Sequence, residues 1–163
     1  MEPLFFKLIE VLKEQRKAVA EMIKASEAQN QALRQADIDG LNDAVKRLTL
    51  LARQMAGLDS QREEIQLRLE KDLRLKQGAA ISDLLDKAPV EMKIELKQIQ
   101  LELKKGFQQL QEINALNDVL TKRALQVNSA MLKIFNPRSG QTYQNSGTIK
   151  NEGRPQAVLN KTV

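Results

Sequence analysis

The stretch PVEMKIELKQIQLELKKGFQQLQEINALNDVLTKRALQVNSAMLKIF (89–135) decides the fold. Its seam positions recur as Met92, Leu96, Ile99, Leu103, Gly106/Phe107, Leu110, Ile113, Asn117, Leu120, Ala124, Val127, Met131 and Ile134/Phe135. Steps of three and four residues keep these positions on one stripe of an α-helix. Pro89 suits an early helical position, and Glu91 suits the positive end of the helix dipole. About 45 residues at 1.5 Å each span roughly 70 Å. A stripe so long and narrow has to be shared between partner helices, so the expected architecture is an antiparallel coiled-coil bundle.

Two further patterns of the same kind lie upstream. From about Pro3 to Gln35 the apolar positions are Leu4/Phe5, Leu8, Val11/Leu12, Ala18/Val19, Met22, Ala25 and Ala32/Leu33, with Gln15 and Gln29 making the seam imperfect. The stretch Ala36-Asp37-Ile38-Asp39-Gly40 breaks the pattern, and Asp37 is suited to accept hydrogen bonds from the amides that begin the next helix. So short a connection turns the chain back antiparallel. The second helix reads Leu41, Val45, Leu48, Leu51, Met55, Leu58, Arg62, Ile65 and Leu69. It is expected over 38–76, with Gln77-Gly78 as its stop, because glycine tolerates the left-handed conformation that closes a helix. Residues 79–88, AAISDLLDKA, predict a loop holding a short helix over 79–87, with Ile81, Leu84 and Leu85 available for packing. Gly57 and Gly106 each cost about 1 kcal/mol relative to alanine inside a helix. Close helix approach, or a kink, is the expected reason for each.

The fold class that follows is all-α. An elongated antiparallel three-helix coiled-coil bundle fills 1–136, with a short extra helix before the third long one. The last 27 or so residues, 137–163, read PRSGQTYQNSGTIKNEGRPQAVLNKTV. They have few large apolar groups and too little to bury against the entropy of ordering, so they predict a flexible tail. The tail is basic, with Arg138, Lys150, Arg154 and Lys161 against Glu152 alone.

Composition narrows the function. The 163 residues contain no Cys and no His, which removes disulfides, thiolate zinc sites, Cys nucleophiles and His general bases. Aromatic residues are only 3%, so the apolar content is aliphatic and the chain is rich in helix formers. Acid pairs such as Glu63-Glu64 and Asp83/Asp86 sit in mixed-charge helix surface or at helix ends. Without a His or a Gly-rich phosphate loop they predict neither an acid–base site nor a carboxylate metal site, and no cofactor is expected. Of the net charge of +5, the tail carries +3, and the remaining +2 is spread over residues 1–136 with both signs interleaved, unlike a nucleic-acid footprint. The opening MEPLFFKLIEVLKEQRK is not read as a signal peptide, since Glu2, Lys7 and Glu10 interrupt it. No run approaches the roughly 18 apolar residues of a membrane span. A location inside the cell is expected, with Leu4-Phe5-Phe6 packed in the bundle and no membrane insertion.

The end of the third long helix carries more apolar residues than one seam can hold. In VLTKRALQVNSAMLKIF (119–135), Val119, Leu120, Leu125, Val127, Met131, Leu132, Ile134 and Phe135 occupy more than one face. Such a surplus marks either additional packing against the first helix or a docking site for another chain. Met131 is soft and adaptable, as a residue that accepts a partner helix should be. Asn117 lies on the seam near Asn114, where a buried Asn fixes helix register.

Two stretches resemble the FlgN family of flagellar export chaperones. They are INALNDVLTKRALQVNSAMLKIF (113–135), with its paired Asn residues before an apolar helix end, and TYQNSGTI (142–149). LDSQREEIQLRL (58–69), with Arg62 after an apolar repeat, and ISDLL (81–85), placed where the family has a short helix, add to the likeness. The resemblance implies a cytoplasmic chaperone without ATPase activity. Such a protein binds the C-terminal helical region of the hook-associated proteins FlgK and FlgL, prevents their premature assembly, and delivers them to the type III export gate. Carried onto this chain, the family's cargo-binding region points to Val127, Met131, Leu132, Ile134 and Phe135. Tyr143 matches the family's tail tyrosine and is the expected contact for the gate component FlhA. The rival expectation is a structural coiled-coil protein that forms a homo-oligomer through the same apolar helix end.

Overall fold

A computed structural model describes residues 2–79 and 81–135. Among them the chain forms four helices and no strand. These are α1 (Glu2–Gln35), α2 (Ile38–Asp72), α3 (Ile81–Lys87) and α4 (Val90–Phe135). The chain divides into two compact units, Met1–Arg123 and Ala124–Val163. The expected flexible tail lies outside the described residues, as does Tyr143.

In the first unit α1 is the best-covered helix. Phe5, Leu8, Ile9, Leu12, Ala18, Val19, Ala25 and Ala32 are buried along it, and Gln15 and Ser26 are buried with them. The main core joins Phe5, Leu8, Ile9, Leu12 and Val19 to Leu69 of α2, to Leu84 and Leu85 of α3, and to Leu96, Ile99 and Leu103 of α4. Both leucines of the short helix that the sequence offered for packing are therefore in the core. Ile9, which the α1 stripe reading passed over, is there as well.

Cross-helix contacts give the chain directions. Lys13 pairs with Glu95 at 2.8 Å and Arg16 with Glu102 at 2.6 Å. Further along, Ser26 Oγ donates to Asn114 Oδ1 and Asn30 Nδ2 donates to Asn117 Oδ1. The α4 partner number rises with the α1 number, so these helices run parallel in this unit. Glu21 of α1 pairs with Arg47 of α2, whereas Leu12 and Gln15 share a groove of about 560 Å³ with Met55 and Arg62. The α2 number falls as the α1 number rises, so α2 runs antiparallel to α1.

The turn between α1 and α2 is built as its sequence suggests. Ala36 takes a left-handed conformation with φ of 54°, and the Asp37 amide donates back to the Ala32 carbonyl at 2.9 Å. That bond closes the end of α1. The Asp37 carboxylate then accepts from the Gly40 amide at 3.0 Å, capping α2.

The end of α2 differs from the expected stop. The helix finishes at Asp72, and it is Arg74, with φ of 55°, that turns left-handed. The Leu75 amide donates to the Glu70 carbonyl at 2.8 Å, the long closing bond of a left-handed cap. Leu73 and Leu75 pack against the core, so apolar burial sets the stopping point ahead of Gly78. Gly78 has φ of 78° and serves the loop further on, where its amide donates to the buried carboxylate of Glu70 at 3.1 Å. Gln66 bridges the Glu70 carboxylate and the Ala79 carbonyl, both at 3.1 Å, and so fixes the approach to α3.

The two helical glycines divide. A Cβ on Gly106 would stand 2.7 Å from Val19 Cγ1, so this glycine permits the close approach of α1 and α4. A Cβ on Gly57 would meet nothing within 4 Å, and close approach does not explain that residue. Gly57→Ala is therefore expected to stabilise the fold by about 0.5–1 kcal/mol, and Gly106→Ala to destabilise it by about 1–3 kcal/mol. Urea unfolding followed by circular dichroism measures both. Equal effects at the two sites would contradict the packing described.

Ion pairing is expected to make the fold modestly acid-sensitive. A hydrogen bond from Lys24, supported by Arg47, holds the Glu21 carboxyl below its ordinary 4.5. Arg16, then Gln98, does the same for Glu102, and Lys93 holds Asp86 below 3.8. These groups bind protons less readily folded than unfolded, so their contribution is present above about pH 4.5 and fades as the pH falls through their folded values. Lys13, raised above 10.5 by Glu95 and then Glu10, has the opposite sign and loses its contribution only as the pH climbs past that region. The urea midpoint is expected to fall between pH 5 and 3, by less in high salt because these groups are exposed or only half-buried. A midpoint that stays flat over that range would contradict this reading.

Candidate partner-binding site

The offset of 87 between Asn30 and Asn117 brings the last α1 residue, Gln35, level with Lys122 of α4. Within the first unit the seam of α4 is buried at Leu96, Ile99, Leu103, Leu110 and Asn117, and half-buried at Leu120.

In the second unit, every residue whose side chain is described, Ala124 to Ile134, is exposed. The sequence offers two explanations for the apolar surplus there, and these side chains are uncovered in the structure. Val127, Met131, Leu132 and Ile134 are between 52% and 74% exposed, and Leu125, part of the apolar surplus but not of the cargo-binding set that the resemblance implies, is exposed as well. Phe135 belongs to α4, but its side chain is outside the described residues.

Helix geometry sorts these residues into two lines. At about 100° per residue, Val127, Met131 and Ile134 fall within roughly 60° of one another. Leu125 and Leu132, seven residues apart, form a second line roughly 150° away from the first. The structure thus groups Val127, Met131 and Ile134 and sets Leu132 on the other side with Leu125. One docked helix covers one line, so covering both takes two partner segments. The stretch 124–134 contains no acidic residue, and Lys133 is its only charged side chain, so the surface is weakly basic.

Within the first unit the α1–α4 seam carries a polar cluster at Asn117. Asn117 is buried, and its Nδ2 donates to the Ser26 carbonyl at 2.9 Å and to Gln29 Oε1 at 3.1 Å. Its Oδ1 accepts from Asn30 at 2.8 Å. Among the described residues every buried polar side-chain atom has a partner. The seam Asn was legible in the sequence. Ser26 and Asn30 were not, because a polar residue beside an α1 stripe looks like solvated surface until its partner helix is placed.

Among the described residues, no cluster of three or more His, Cys, Asp or Glu is placed to hold a metal ion, and no helix is long and apolar enough to cross a membrane.

Fold and surface together define an all-α protein that presents an open apolar helix face. A family model described as FlgN protein matches residues 1–151, and the chain belongs to the FlgN family. The match supports a role in flagellum biogenesis as an export chaperone. Comparison with curated proteins gave no match, and comparison with solved structures gave none either.

Proposed function

We propose that this chain is a cytoplasmic type III flagellar export chaperone for the hook-associated proteins FlgK and FlgL. It binds their C-terminal helical regions, prevents premature assembly, and delivers them to the export gate, with Tyr143 contacting FlhA. The fold that serves this role is an elongated antiparallel three-helix coiled-coil bundle, and the protein acts by binding, not by catalysis. The observation that carries the reading is the FlgN-family match over 1–151. The exposed apolar lines of α4 support it physically. An assembly helix of the cargo has an apolar face that must stay covered until export, and Val127, Met131 and Ile134 offer it a complementary strip. Ordering of chain segments on binding offsets part of the contact energy, so release needs no nucleotide hydrolysis.

The site is tested by charge insertion. Met131→Asp and Ile134→Asp replace exposed residues, so the thermal midpoint should hold while affinity for the C-terminal FlgK segment drops at least tenfold, on the order of 1.4 kcal/mol. Leu132→Asp reads the second line separately, and an equal loss there means that cargo covers both sides of the helix. Unchanged affinity in all three variants would remove this surface as the site. Light scattering of dilute protein addresses self-association, since a scaffold would hide the same residues in a homo-oligomer.

A further inference from the structure

A second exposed face lies on the first part of α4, within Met1–Arg123. Val90, Ile94 and Leu101 are 77%, 67% and 60% exposed. At 100° per residue they fall within about 40° of one another, over a length of about 16 Å. Lys97, Lys104 and Lys105 are exposed along the same strip, and none of them stands within ion-pair distance of a carboxylate among the described residues. Two of the three acids of this part of the helix are turned elsewhere. Glu95 and Glu102 face α1, where they pair with Lys13 and Arg16, and Glu91 is exposed about 60–100° from the three aliphatic residues. The helix thus gives Glu95 and Glu102 to the bundle and keeps outside an apolar strip edged mainly with lysines.

We propose that this face of α4 docks an acidic amphipathic helix of a partner protein. The three aliphatic residues would seat the apolar side of about three helical turns, and the lysines would pair with carboxylates flanking it. A second copy of this chain fits poorly, because a two-fold pairing would lay one lysine-edged strip on another and bring Lys97, near the middle of the strip, close to its own copy. A lipid surface is also disfavoured, since the strip is short and lacks the aromatic residues that anchor interfacial helices. The inference does not rest on the export-chaperone reading and uses none of the residues assigned to it.

The test uses the full chain and a synthetic amphipathic peptide of about four turns, with leucines on one face and glutamates beside them. Its lysine-for-glutamate counterpart and vesicles of phosphatidylcholine with phosphatidylglycerol are the comparison probes. The acidic peptide should shift the backbone amide resonances of residues 90–105. Its binding should weaken with salt, and Ile94→Asp, or Lys97→Glu combined with Lys104→Glu, should reduce affinity at least tenfold at an unchanged unfolding midpoint. Absence of shifts, shifts centred elsewhere, equal affinity for the basic peptide, or binding to the vesicles instead of the acidic peptide would each overturn the proposal.

Discussion

Replacing Leu69 with alanine is expected to destabilise the protein by about 3–4 kcal/mol. Leu69 is 0% exposed and belongs to the core cluster with Phe5, Ile9, Leu84 and Leu85. The substitution removes three carbons, about 2.4 kcal/mol of transfer free energy at ~0.8 kcal/mol each, and leaves a cavity. The site cannot easily collapse, because its carbonyl accepts from the Leu73 amide and the following turn is tied to Glu70. Leu50→Ala, at a largely exposed position of the same helix, should change stability by less than about 0.5 kcal/mol. Urea unfolding of the two variants makes the comparison. A loss below about 1 kcal/mol for Leu69→Ala would mean that α3 does not clamp the end of α2 as described.

Asn117→Ala is expected to cost about 2–3 kcal/mol, for a different reason. It removes the side chain that joins Ser26, Gln29 and Asn30 of α1 to α4, at a buried position with no competing solvent. Asn117→Leu should cost much less, since Gln29 and Asn30 are only half-buried and can hydrate while leucine fills the seam. What leucine forfeits is register: only asparagine makes one α1–α4 alignment better than its neighbours. Amide hydrogen exchange of α4 should be faster in the leucine variant than its global stability accounts for. If both variants lost the same stability, the cluster would be contributing packing volume alone.

The pattern of helices was legible because long aliphatic stripes at three- and four-residue steps admit few other readings. Asp37 and its Ala36-to-Gly40 setting announced the first turn, and the structure caps α2 there. The end of α2 was not legible, since Gly78 is the obvious stop in the sequence. Only the placed core shows that burial of Leu73 and Leu75 closes the helix on Arg74 first. Val45 illustrates the same limit. It continues the stripe in the sequence, yet it is exposed, and its neighbour Ala44 is buried instead. A one-residue drift of the seam costs little when the facing residues are small. Glu70 had no signal at all, because a buried glutamate on a mixed-charge helix becomes recognisable only when the loop amide it accepts from is in place. At the candidate site the apolar surplus was visible from composition along 119–135. Its division into two lines follows from helix geometry, and its exposure needed the structure.

The most direct test of the central claim is isothermal titration of the full chain with the C-terminal segment of FlgK from the same organism. Saturable binding near one to one is expected, lost when the chain is truncated at about residue 119 while the remaining helices stay folded. No binding to FlgK or FlgL, together with stable self-association of the chain, would contradict it.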